Sequence, residues 1–155
     1  MKRLAILTAI VLLGLMAACG GGAAAPVTSS LASTSIMPGK PVSTDGGTYW
    51  SITPLQLTSF TVKDFVLADT DTSYIGEISG TDLFLNSDKV SQELDKFQTD
   101  KNSKIVVYCT AGIHSRAVAE TLVKAGYTRV MDLNGGITAW KKAGYQTIFN
   151  NRTMA

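Results

Sequence analysis

From residue 64 onward the hydrophobic positions fall into short unbroken runs separated by stretches of helical period. Asp64–Asp69 and Asp82–Leu85 each hold an apolar run bounded by polar residues, the pattern of strands buried on both faces. Asn86 or Ser87 can cap a helix that carries Val90, Leu94 and Phe97 at i, i+4 and i+7, one apolar face. Lys104–Tyr108 is the clearest central strand, continuously apolar after its first residue and rich in β-branched side chains. It runs directly into Cys109. After a turn through Gly112, the segment Ser115–Ala125 sets Val118, Leu122 and Ala125 on one stripe, and Gly126 fits the position that stops a helix. Arg129–Leu133 predicts another strand, Asn134-Gly135-Gly136 a turn, and Ile137–Ala143 a short helix closed by Gly144. Alternation of this kind predicts an α/β layer, a central and mostly parallel sheet flanked by helices.

The first 47 residues follow a different pattern. Lys2 and Arg3 precede Leu4–Met16, apolar but for Thr8 and Gly14, which reads as an export signal too short to cross a bilayer, since a span needs ~20 residues. It ends in Leu15-Met16-Ala17-Ala18-Cys19, which resembles the lipobox of bacterial lipoproteins. The resemblance implies a signal peptide over residues 1–18 and a lipidated Cys19, with the protein exported and held on the extracytoplasmic or periplasmic side of a membrane by its lipid anchor. An ordinary secretory signal or an uncleaved anchor are the alternatives. The stretch that follows is rich in Gly, Ala, Ser, Thr and Pro and lacks apolar periodicity, so residues 19–47 predict a flexible linker. The folded domain is then expected over residues 48–149, with a short tail at 150–155.

Charge excludes one class of partner. Fourteen Lys and Arg stand against twelve Asp and Glu, and Lys2 and Arg3 lie in the leader, so the body is balanced and offers no counterion-release footprint for nucleic acid. The chain holds two cysteines. Lipidation of Cys19 would leave Cys109 as the lone thiol, and no disulfide could then form within the chain. One Cys and one His in the mature chain fall short of a zinc ligand set, and nothing in the sequence calls for a cofactor.

The chemistry concentrates at Tyr108-Cys109-Thr110-Ala111-Gly112-Ile113-His114-Ser115-Arg116. In open α/β sheets ligands sit beyond the carboxyl ends of the strands, and here a thiol occupies that place just before a helix. A loop wrapped over a helix N-terminus aims several N–H groups inward and, with the helix dipole, favours an anion and hence thiolate over thiol. The bland alternative is an inert buried thiol.

The segment Val106 to Arg116, the helix end Lys124-Ala125-Gly126-Tyr127, and Leu133-Asn134-Gly135-Gly136-Ile137-Thr138-Ala139-Trp140 continuing to Ala143-Gly144-Tyr145 together resemble the rhodanese family of single-domain sulfurtransferases. The resemblance implies a rhodanese-like fold. It also implies that Cys109 accepts a sulfane sulfur from a donor such as thiosulfate, carries it as a persulfide and passes it to cyanide or another thiophilic acceptor. Thr110, Ala111, Gly112, Ile113, His114 and Ser115 would hold the outer sulfur through their N–H groups. A small sulfur-donor anion, polysulfide or a protein persulfide would be the partner.

Arg116 and Asp69 are further candidates for donor binding, against the plainer readings of a solvated helix residue and a turn cap. Where many members carry Arg five residues after the Cys, this chain has His114, a poorer clamp for thiosulfate. Where members show Asp-x-Arg and then a His-Ile-Pro-Gly segment, it reads Asp69-Thr70-Asp71 and Glu77-Ile78-Ser79-Gly80. Asp71 and Glu77, if placed at the mouth, would repel an anionic donor. A catalytically weak binding or sulfur-sensing module is therefore the competing reading. A phosphatase or arsenate reductase related in fold would need a longer loop with Arg six residues after the Cys, where Ser115 stands. Trp140 reads as core packing between the last helix and the sheet.

Overall fold

A computed structural model describes residues 37–152. The leader, Cys19 and most of the expected linker lie outside the described residues. Strands β1 (Lys40–Thr44) and β2 (Gly47–Ile52) are followed by helix α1 (Pro54–Thr58), β3 (Phe65–Asp69), β4 (Leu83–Phe84), β5 (Lys104–Tyr108), helix α2 (Ile113–Lys124), β6 (Val130–Leu133) and helix α3 (Gly136–Lys142). They build one six-stranded sheet in the order β1-β2-β6-β5-β3-β4. Only β1 and β2 pair antiparallel; the other four pairings are parallel. This is the mostly parallel α/β architecture that the alternation of elements predicts.

Strand β5 shows why the fold is stable. Side chains alternate across a strand, so Ile105 and Val107 enter one core with Val118, Ala119 and Leu122 of α2, while Val106 and Tyr108 enter the other with Met131, Leu133, Ile137 and Trp140. All four β5 side chains are fully buried, and each aliphatic one contributes about 1.5–3 kcal/mol relative to exposure. Helix α2 ends as the glycine predicts, with Gly126 N–H donating to Val123 O and Tyr127 N–H to Leu122 O, the two bonds of a Schellman stop. Trp140 takes its expected core place, its Nε1–H donating to Gln146 O at 2.9 Å.

Several boundaries differ from the sequence reading. The domain starts earlier than residue 48, because Lys40–Thr44 pairs with β2 as an edge strand; the expected linker therefore ends before β1. The edge position explains the missing apolar pattern, since β1 is exposed along most of its length. Residues 86–97 form two 3-10 turns, Ser87–Gln92 and Leu94–Lys96, in place of the expected α-helix. Asn86 does cap the first, accepting from Asp88 N–H, and Val90, Leu94 and Phe97 do face the core, so the apolar spacing identified the buried side chains but not the hydrogen-bond period.

The tail at 150–155 is not free of the domain where it is described. Ile148 bridges Glu77 by two backbone bonds of 2.8 Å, and Asn150 and Arg152 both grip the buried Glu77 carboxylate.

Candidate active site

Parallel registry brings three strand ends to one edge of the sheet. Asp69 lies level with Tyr108, and Asp132 is paired with Val107, so the segments leaving β3, β5 and β6 converge where Cys109 emerges. Cys109 is 1% exposed, and its Sγ accepts a hydrogen bond from Gly112 N–H at 3.1 Å.

The loop is held from behind by α3. Ile137 N–H donates to Cys109 O and Thr138 N–H to Thr110 O, both at 2.9 Å, and the Thr138 hydroxyl adds a second bond to Thr110 O. Because a trans peptide is planar with C=O and N–H opposed, these bonds aim the N–H groups of Thr110 and Ala111 away from α3. Helix α2 then begins at Ile113 behind Gly112, which has φ +84° and supplies no side-chain cap. A Cβ at Gly112 would meet Gly135 N at 2.9 Å. The first-turn amides of α2 thus have neither a side-chain cap nor an acidic neighbour within that turn, the condition under which a helix N-terminus receives an anion.

The candidate residues separate into distinct groups. Thr110 is half-buried, and its hydroxyl donates to Asp71 Oδ2 at 2.8 Å. Ala111, Ile113 and His114 are on the exposed rim, Ile113 at 72%. Ser115 is buried and its hydroxyl is committed to Asp132 Oδ1 at 2.6 Å, so only its N–H is left for the loop role. Arg116 is exposed on α2 with its charge felt by Asp132 and Tyr49, outside the Asp71–Cys109–His114 cluster. Asp132 is raised by burial, against which the Ser115 bond and the Arg116 charge act.

Asp69 is fully buried and caps a turn, its Oδ1 accepting from Asp71 N–H at 3.0 Å. Burial, reinforced by the charges of Asp71 and Glu77, pushes its carboxyl up to about 7. The plainer reading of Asp69 is the one the geometry supports.

Of Asp71 and Glu77, only Asp71 lies beside the loop. Its Oδ1 lies 3.8 Å from His114 Nδ1, and one donor atom each of Asp71, Cys109 and His114 fall within 4.8 Å of one another. Glu77 is instead buried in the ion pair with Arg152, outside the Asp71–Cys109–His114 cluster. Sequence reasoning missed two parts of this arrangement: Asp71 as the partner of Thr110 and His114, and Gly135-Gly136 as more than a turn. A Cβ on Gly136 would stand 1.9 Å from Cys109 O. The paired glycines were the available signal, since close backbone approach is one of the two reasons for glycine at such a place.

Comparison with known proteins agrees with this geometry. Residues 76–143 match the Rhodanese-like domain family. The chain is 37% identical over 81 residues to the thiosulfate sulfurtransferase GlpE of Coxiella burnetii, covering 51% of this chain and 74% of that protein. Among solved structures, a rhodanese-related protein from Thermoplasma volcanium superposes with a TM-score of 0.57 at 23% identity, over 64% of this chain and 98% of the other. A rhodanese-like domain protein from Staphylococcus aureus does so with a TM-score of 0.51 at 27% identity and the same coverages. With its thiol-bearing loop set at the end of the central strand and this relative matched over most of its length, the chain belongs to the rhodanese-like family of sulfurtransferases.

Proposed function

We propose that Cys109 carries a sulfane sulfur as a persulfide between a small or protein-borne donor and a thiophilic acceptor. The observation that supports it best is the uncapped amide loop around Sγ, with Gly112 N–H already on the sulfur. Backbone dipoles preorganised in this way stabilise a sulfur anion without any proton transfer.

In the first step the Cys109 thiolate attacks the outer sulfur of the donor. With thiosulfate the S–S bond breaks and sulfite leaves with the electron pair, which converts the side chain to a persulfide anion. In the second step cyanide or an acceptor thiolate attacks the outer sulfur, and Cys109 departs as thiolate, ready for another cycle. Thr110, Ala111, Gly112, Ile113, His114 and Ser115 contribute N–H groups toward the outer sulfur, and Gly112 fixes the turn that lets them converge.

Asp71 bears on the choice of donor. Its carboxylate is buried within the 4.8 Å cluster around Cys109, and His114 stands where a guanidinium would have clamped a dianion. Repulsion of this kind acts most on thiosulfate, a compact dianion, and less on a longer polysulfide chain or a protein persulfide, whose charge can lie farther from the carboxylate. It also favours, as a second reading, a rhodanese-like module that senses sulfur or binds a partner with little turnover. The assay is thiocyanate formation from cyanide with each donor in turn. The proposal expects turnover with polysulfide exceeding that with thiosulfate, and its loss in Cys109→Ser. Turnover retained in that variant excludes the mechanism, and absence of turnover with any donor supports the sensing reading.

A further inference from the structure

Asp71 comes from the turn after β3, Cys109 from the end of β5 and His114 from the first turn of α2, yet their donor atoms lie within 4.8 Å of one another. The set is one thiol sulfur, one imidazole nitrogen and one carboxylate oxygen, so Asp71 adds the third ligand that the count of one Cys and one His lacked, and all three are ligand types that zinc takes in proteins. Two of the three are almost wholly buried, with Cys109 at 1% and the Asp71 side chain at 8% exposed, while His114 is 46% exposed and forms the way in.

The outer hydrogen bonds already have the form that holds metal ligands. The Thr110 hydroxyl donates to Asp71 Oδ2, which orients that carboxylate with Oδ1 toward His114. Gly112 N–H donates to Sγ, and the Asp71 backbone is pinned by its N–H bond to Asp69 Oδ1. Partners of this kind fix ligand geometry and tune the ion.

Charge points the same way. A thiolate at Cys109 beside the Asp71 carboxylate would concentrate negative charge in a buried place. The ion-pair partner of Asp71 in this cluster is His114, which is charged only when protonated. A divalent cation would offset both charges at once. In tetrahedral zinc sites with bonds of about 2.0–2.3 Å, donors stand about 3.3–3.8 Å apart. The His114–Asp71 pair is at 3.8 Å, and the remaining closure is about 1 Å, a movement open to an exposed imidazole.

We propose that Asp71, Cys109 and His114 form a three-ligand site for Zn2+ or Cd2+ with one coordination position left open, and that the bound ion blocks sulfur loading. Metal binding stands on the geometry alone, whereas the blocking effect rests on the reading of Cys109 as sulfur carrier. The ion occupies the thiolate electron pair that would otherwise attack the donor sulfur, and a chelator restores it.

The test is titration of the full chain with Cd2+, following thiolate-to-metal charge transfer in the near ultraviolet, and with Zn2+ by calorimetry. One ion per chain is expected. Loss of even an outer-shell partner costs about 10–100-fold in affinity, so His114→Ala and Asp71→Asn should each weaken binding by about 100-fold or more. His114 is exposed, so its variant keeps the test valid if the buried Asp71 replacement fails to fold. Affinity unchanged in His114→Ala, or no charge-transfer signal, overturns the site. A second arm measures persulfide formation with and without one equivalent of Zn2+, before and after chelation. Unchanged loading in the zinc-bound chain overturns the block. Metal bound with no loading even after chelation overturns the carrier reading while leaving the metal site intact.

Discussion

Gly136→Ala tests how the reactive loop is positioned. The added methyl would sit 1.9 Å from Cys109 O, 2.9 Å from Cys109 C and 3.0 Å from Thr110 C. An ordinary carbon-to-oxygen contact is about 3.3 Å or more, so the loop and the start of α3 must separate by about 1.4 Å. That movement breaks the bonds from Ile137 N–H to Cys109 O and from Thr138 N–H to Thr110 O, each worth about 0.5–1.5 kcal/mol. The residue also has φ +54°, which costs a β-carbon about 1–2 kcal/mol. Together the change is about 2–5 kcal/mol of stability. Catalysis suffers separately, because a displacement of about 1 Å at reacting atoms costs about 100-fold in rate. Urea unfolding measures the first effect, and the persulfide-forming rate of the folded fraction measures the second. Gly144→Ala is the control: its φ is also positive, +89°, but no atom lies within 4 Å of the added carbon, so it should lose only the conformational part. A Gly136→Ala protein with wild-type midpoint and wild-type rate would refute the claim that α3 holds the loop.

Three further outcomes follow from the same geometry. His114→Arg supplies the charge-assisted bond to a dianion that the native loop lacks, and thiosulfate loading should rise about 10-fold, read as the initial rate of persulfide formation; no gain would show that loop charge does not select the donor. Asp69 has its carboxyl raised to about 7 in the folded state, so it holds its proton more tightly there than when unfolded, and wild-type stability should fall as pH rises from about 4 to 7. Asp69→Asn keeps the acceptor for Asp71 N–H and should remove that fall, improving relative to wild type by up to about 4 kcal/mol between pH 4 and 8; a pH-independent difference in urea midpoints contradicts the burial argument. For the N-terminus, we propose from the lipobox resemblance that the mature chain starts at a lipidated Cys19, so the native protein should partition into detergent and carry a diacylglycerol-sized mass that Cys19→Ala lacks.

The buried, continuous strands and the loop were legible because their signals are local. Lys104–Tyr108 is apolar throughout its interior and forms β5 as written, and Cys109, Gly112 and Gly126 stand at the turn and stop positions that their residue types predict. Partly exposed elements were harder to see. Strand β1 presents a polar, half-covered edge, and α1 is a five-residue helix whose Thr53-x-x-Gln56 capping box and Pro54 were its only marks. The 3-10 turns at 87–96 keep the apolar spacing of a helix while changing its hydrogen bonds. The residues that complete the site come from long-range packing, which no local pattern encodes. Asp71 reaches Thr110 across 39 positions of sequence, and Arg152 finds Glu77 across 75. Charge count alone put Asp71 and Glu77 in one class, and only the fold separates the carboxylate beside the thiol from the one paired with Arg152.

Intact-mass spectrometry of the chain after brief exposure to polysulfide and removal of excess donor tests the central claim most directly. One added sulfur atom, released by a thiol reductant and absent from Cys109→Ser, is the predicted result. An unmodified native chain, or the same added mass in Cys109→Ser, would contradict it.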